Sequence, residues 1–299
     1  MSAFIDFFAL PLSFPFMQRA LMVAVMVGAV SAVLSSYLVL KGWSLMGDAI
    51  SHAVLPGIVL AFVVGLPLSV GAFAAGLFSA IATGYLKANS RVKEDTVMGI
   101  VFSGMFAVGL VLFTRIETDQ HLTHVLFGNI LGLTQADLIE TALITGFALI
   151  VVLAKGRDLV LYCFDPQHAR AIGLPVRLLH YGLLALLALT IVAALKAVGI
   201  ILVVAMLVAP GATGFLVTGR FRTMVMIAVA VAVGSSVFGT LLSFHIDAAT
   251  GPTIVLIQTG VFLLALLFSP RGGLLRRPRA FPGEVDTGSP PGNATKTRA

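Results

Sequence analysis

Charge is scarce in this sequence. Asp, Glu, Lys and Arg make up 11% of the residues, where a soluble domain carries about 25%. That shortage excludes a water-facing globular surface as the main organisation. The net charge of +6 does not point to nucleic acid either, because the basic residues lie between long apolar runs. Cysteine is nearly absent. Cys163, the only one, can form neither an internal disulfide nor a thiolate metal cluster. There is no G-x-x-x-x-G-K-[ST], so the chain brings no P-loop of its own. There is no H-E-x-x-H and no G-x-S-x-G, which leaves no recognised protease or hydrolase centre. The apolar runs also lack the in–out alternation of a β-barrel strand. These absences argue against an enzyme.

Long hydrophobic runs are what the sequence does have. Hydrophobic residues make up 59% of it, and mean hydropathy is +1.05. Crossing about 30 Å of hydrocarbon takes roughly 20 helical residues. Nine segments meet that length: 18–40, 44–64, 67–87, 96–114, 136–154, 177–195, 198–217, 223–244 and 252–269. Pro56 interrupts the second, so eight full spans and one irregular one is the alternative count. The expected fold is an all-α polytopic membrane bundle. Residues 1–17 read as an interfacial segment, 18–270 as the membrane domain and 271–299 as a basic, disordered tail. The first span has no signal-peptide cleavage pattern and reads as retained. With the N-terminus outside and the C-terminus in the cytoplasm, 16 of the 19 Lys and Arg residues fall inside. The positive-inside rule selects that orientation.

Within the second span, "GWSLMGDAISHAVLPG" places Asp48 and His52 at i and i+4, on one helix face. An ionised acid at bilayer depth is costly unless it faces a partner or a wet cavity. Asp48 is the one clear intramembrane acid. One reading is a buried hydrogen-bonded pair that fixes helix packing. The other is a cation site. Small neighbours (Gly47, Ala49, Ser51, Ala53) allow close approach, and Pro56 can leave carbonyls facing a cavity. One carboxylate oxygen plus one imidazole nitrogen suits a borderline divalent transition metal rather than a sugar or a lipid. Two ligands are few, but two copies of the chain meeting at a two-fold axis would supply two Asp and two His. His121 and His124, in an outer loop, are weaker candidates for accessory metal contacts. His245 and Asp247 read as solvated, and His168 and His180 as hydrogen-bonding groups on the cytoplasmic side.

The longest cytoplasmic loop is "KGRDLVLYCFDPQHARAIGLPVR". Asp165 is placed to cap a helix that starts at Pro166. Gln167, His168, Ala169, Arg170, Ala171 and Ile172 then make about two turns, and Gly173 ends them. A short helix between two spans is either a docking element or a plain surface helix.

Together, "KGWSLMGDAISHAVLPGIVLAF", "LFGNILGLT", "FDPQHARAIGLP" and "VGIILVVAMLVAPGATG" resemble the membrane subunit of the ABC transporters for manganese, iron and zinc, closest to the manganese/iron branch. The resemblance covers roughly residues 17–272. It implies a homodimer, cytoplasmic ATP-binding subunits that hydrolyse ATP, an extracytoplasmic metal-binding protein, and residence in the bacterial plasma membrane among lipid. It maps an intramembrane metal site onto Asp48 and His52 and a coupling helix onto Asp165 to Gly173. An ion-coupled secondary transporter, or a permease for a large chelate, would leave either the docking loop or the paired ligands unexplained.

Overall fold

The computed structural model describes residues 10–115 and 132–269. His121, His124 and the tail at 271–299 lie outside the described residues. Those described form helices: α1 (Pro15–Lys41), α2 (Met46–Ala53), α3 (Leu55–Val64), α4 (Leu68–Asn89), α5 (Glu94–Arg115), α6 (Gln135–Ala154), α7 (Gly156–Phe164), α8 (Pro166–Ala171), α9 (Val176–Val217), α10 (Phe221–His245) and α11 (Thr250–Phe268). Among the described residues, nine helical stretches are long and apolar enough to cross a membrane. They match the nine apolar segments, each end lying within three residues of its counterpart. The second span is composite, built from α2 and α3 end to end.

At 42 residues, α9 would be about 63 Å long if straight, twice what a bilayer needs. It is two spans. Gly199 has φ 78° and ψ 168°, a region open essentially to glycine alone. The packing shows that the chain reverses there. Ala188 lies beside Gly76 together with Ile50, while Leu207 lies on Gly47, one turn from Ile50. A straight helix would hold Ala188 and Leu207 roughly 28 Å apart.

This hairpin is the centre of the bundle, touching α1, α2, α4, α6, α7, α8, α10 and α11. Pro210 lies inside its second arm and removes one ladder donor. Ser35 on α1 braces that position: its hydroxyl donates to the Val208 carbonyl at 3.3 Å and accepts from the Gly211 N–H at 3.0 Å. Elsewhere, α3 and α4 cross in backbone contact. A Cβ added to Gly57 would land on the Gly71 carbonyl oxygen, and one added to Gly71 would land on that of Gly57. Ala61 and Ala75 follow four residues later at the same seam. Small residues four apart are how membrane helices bring their backbones together.

Residues 156–164 form a helix, α7, and not part of a long loop. Its Leu159, Tyr162 and Cys163 are buried, and it packs against α1 and α9.

Candidate functional site

The short helix α2 owes its position to the turn before it. Gly42 adopts φ 76° and caps α1, its N–H reaching the carbonyls of Leu38 and Val39. After that turn α2 runs for eight residues against α9, α5 and α4. Six of the eight are buried; Asp48 and His52 are the two that are not. Asp48 lies in the first turn and His52 in the last, the ends where the helix dipole favours an anion and a cation respectively.

His52 Nε2 lies 3.3 Å from Asp48 Oδ1. The side chains keep 29% and 36% of their surface open. Neither makes another hydrogen bond among the described residues. The His52 ring is walled by α5: Phe106 meets it edge-on at 5.3 Å between centroids, and Phe102 stacks at 6.0 Å. These aromatics were not singled out in the sequence, although their i, i+4 spacing on one helix was legible. Pro56 has no N–H for the carbonyl of His52, and that carbonyl accepts from Val54 instead. Gly109 on α5 closes over the break, where an added Cβ would be 2.9 Å from the Pro56 nitrogen.

The spacing suits a metal ion. Donors about 2.1 Å from a common ion stand roughly 3.0 Å apart at an octahedral angle and roughly 3.4 Å at a tetrahedral one. The observed 3.3 Å falls between. Among the described residues no third His, Cys, Asp or Glu joins the pair, so one chain offers two donors. Two more carboxylates, Asp137 and Glu140, fall in the apolar stretch Gln135–Ala154. Glu140 on α6 accepts a 2.7 Å hydrogen bond from the Ser69 hydroxyl at the start of α4.

The second cluster of candidate residues is α8. Asp165 caps it as the sequence indicated, its Oδ1 accepting from the N–H groups of Gln167 and His168, each at 2.9 Å. Pro166 holds the first helical position. Gly173, at φ 85°, ends the segment, with the Leu174 N–H on the Ala169 carbonyl at 3.0 Å. Ala169 faces inward and is fully buried, so it serves packing and not an outer surface. Gln167, His168, Arg170, Ala171, Ile172 and Gly173 are exposed.

The family model described as the ABC 3 transport family matches residues 13–269, which takes in both clusters. The chain belongs to the ABC 3 transport family. It is 66% identical over 259 residues to the chelated iron transport system membrane protein YfeD of Yersinia pestis, covering 87% of each chain. It is 51% identical over 279 residues to the manganese transport system membrane protein MntB of Synechocystis, covering 92% of this chain and 91% of that one. Its structure resembles a chain of PsaBC from Streptococcus pneumoniae, solved with a Fab, with a TM-score of 0.81, 38% identity and coverage of 90% and 97%. As an ABC 3 member the chain is a membrane permease subunit.

Two further histidines have structural partners. His180 Nδ1 and the Tyr162 hydroxyl share a 2.8 Å hydrogen bond. His245 Nδ1 lies 2.8 Å from the Leu241 carbonyl. Burial pushes the Cys163 thiol up to about 12, with Lys41 acting in the opposite direction. The thiol therefore stays protonated and poor as a metal ligand or nucleophile.

Proposed function

We propose that this chain is the permease of an importer for Mn2+ or Fe2+, and that Asp48 and His52 contact the ion in passage. The observation that carries this reading is the 3.3 Å carboxylate–imidazole pair, still open on an otherwise buried helix. Two copies of the chain related by a two-fold axis would bring two such pairs together. Two carboxylates with neutral imidazoles balance a divalent charge. The metal identity follows the iron and manganese systems to which the relatives belong; the donor set itself also accepts Zn2+. ATP would be hydrolysed on separate cytoplasmic subunits, with the ion delivered by an extracytoplasmic binding protein at the bacterial plasma membrane. The test is uptake of labelled Mn2+ into proteoliposomes holding the chain with its ATPase subunits, with Fe2+ and Zn2+ as competitors. ATP-dependent uptake is expected. Its absence from an assembled, ATP-hydrolysing complex would sink the reading.

In the same proposal α8 docks on the ATPase. Ala171 is exposed and adds nothing to the core, so Ala171→Arg changes the docking face without disturbing packing. Uptake is expected to fall about tenfold, the effect of roughly 1.4 kcal/mol at the interface. Co-purification of the subunits would report assembly. Normal uptake by that variant would remove α8 from this role.

The proposed orientation keeps the N-terminus outside and the C-terminus in the cytoplasm. A cysteine introduced after Arg279 should resist impermeant thiol reagents in intact cells and react after lysis. Cys163 is 5% exposed and should contribute little background. Labelling in intact cells would invert the arrangement.

A further inference from the structure

The root of α8 is tied to the helix that carries Asp48 and His52. Tyr162 lies on α7, three residues before the Asp165 cap, and His180 lies in the second turn of α9. Their 2.8 Å hydrogen bond therefore joins the two ends of the segment that holds α8. The His180 ring packs edge-on against Trp43, 5.2 Å between centroids. Lys41 Nζ stands 4.4 Å from the Tyr162 ring centroid and 5.8 Å from that of Trp43. Gly84 on α4 backs the imidazole, where a Cβ would meet Nε2 at 3.3 Å. Trp43 is 4% exposed. Its N–H bonds the Leu38 carbonyl at 2.8 Å, and its own carbonyl accepts at 3.0 Å from Met46, the first residue of α2.

We propose that Tyr162, His180 and Trp43 are the mechanical link by which movement of α8 reaches the Asp48–His52 helix, with His180 the positioning residue at its centre. The inference rests on reading α8 as the docking element. A load on α8 can be lost by splaying α7 from α9, or it can move both together. The Tyr162–His180 bond favours the second outcome. The load then falls on Trp43, which is buried in a close-packed interior that resists local deformation. Packed elements shift between discrete arrangements, so displacement is passed on and not absorbed. Trp43 starts the turn into α2, and α2 carries both metal contacts.

The experiment uses the complete complex in proteoliposomes, with Mn2+ as the probe. Tyr162→Phe keeps the ring and its contact with Lys41 and removes only the hydroxyl. Assembly and the KM for Mn2+ are expected to stay the same. ATP hydrolysed per Mn2+ imported is expected to rise roughly threefold to tenfold, the range that one lost hydrogen bond covers. His180→Phe should do the same, and the double variant should add nothing, because both changes delete one interaction. His180→Asn, which keeps a hydrogen-bonding group near Nδ1, should recover part of the coupling. It also becomes the deciding variant if Tyr162→Phe does not assemble, since coupling worse in His180→Phe than in His180→Asn supports the link and equal, normal coupling overturns it. An unchanged ATP-to-Mn2+ ratio in assembled Tyr162→Phe overturns the proposal. So does a raised KM at an unchanged ratio, which would make the cluster a support for the metal site alone. Ala171→Arg is measured alongside. If it transports normally while Tyr162→Phe uncouples, the cluster is needed for coupling but the load does not enter through α8, which overturns the α8 docking assignment and the α8 end of the link. If it uncouples while Tyr162→Phe does not, docking stands and the link fails.

Discussion

Asp48→Asn is expected to abolish Mn2+ uptake while the complex assembles at its normal level. The substitution changes volume hardly at all and removes one negative charge. A unit charge pair 4 Å apart at an effective dielectric of 20 is worth about 4 kcal/mol, on the order of a thousandfold in occupancy. Asp48 keeps 36% of its side-chain surface open, and solvent screens part of that energy. A loss of about a hundredfold, or 2.7 kcal/mol, is the conservative expectation. His52→Ala removes the second donor and should fail as well, whereas His52→Gln keeps a weaker donor and should retain a little uptake. A pair serving only to pack α2 would behave differently. Being partly open, it would contribute at most about 1 kcal/mol to stability, and its loss would lower assembly before it lowered transport. The measurement is whole-cell uptake of labelled Mn2+ beside the amount of assembled complex. Normal uptake by Asp48→Asn at normal assembly removes the metal-site assignment.

Gly57→Leu should have the largest effect on the fold. The added side chain has nowhere to go, because the Gly71 backbone and the Ala75 methyl already occupy its Cβ position. Overpacking a core costs typically 1–3 kcal/mol when side chains can shift. Here the obstacle is backbone, so a cost of about 3 kcal/mol or more is expected, a large fraction of a total stability of about 5–15 kcal/mol. Gly146→Ala on α6 is the matched control. Nothing lies within 4 Å of its Cβ position, and alanine is favoured over glycine in a helix by about 1 kcal/mol. Thermal melting of the detergent-solubilised complex, followed by size-exclusion chromatography, separates the two. A Gly57→Leu protein that melts like the wild type would show that α3 and α4 do not cross where described.

The spans were legible because each is a long apolar run, and run length is a local property. The i, i+4 placement of Asp48 and His52 was legible for the same reason: helix geometry alone puts them on one face. So was the Asp165 cap, which needs only an acceptor before a proline-started turn. α7 was missed because nine residues of mixed polarity carry no such signal. Its buried face, Leu159, Tyr162 and Cys163, is defined by α1 and α9, which are distant in sequence. Phe102 and Phe106 were likewise invisible as site walls, since only the packing of α5 on α2 brings them to His52. The seam at Gly57 and Gly71 reads in sequence as two of thirty glycines; which glycines touch is a tertiary fact. Ala169 shows the opposite error. It falls inside a segment read as a docking surface, yet it is the residue on which α8 rests.

Trp43 is the only tryptophan in the chain, and it stands at the corner between α1 and α2. The indole spectroscopy of this subunit therefore has one origin. Fluorotryptophan incorporated during synthesis would give the subunit a single fluorine resonance, with its chemical shift set by the imidazole edge of His180 and the ammonium of Lys41. The corner that introduces the Asp48–His52 helix thus carries its own optical label, and one fluorine atom is enough to add a magnetic one.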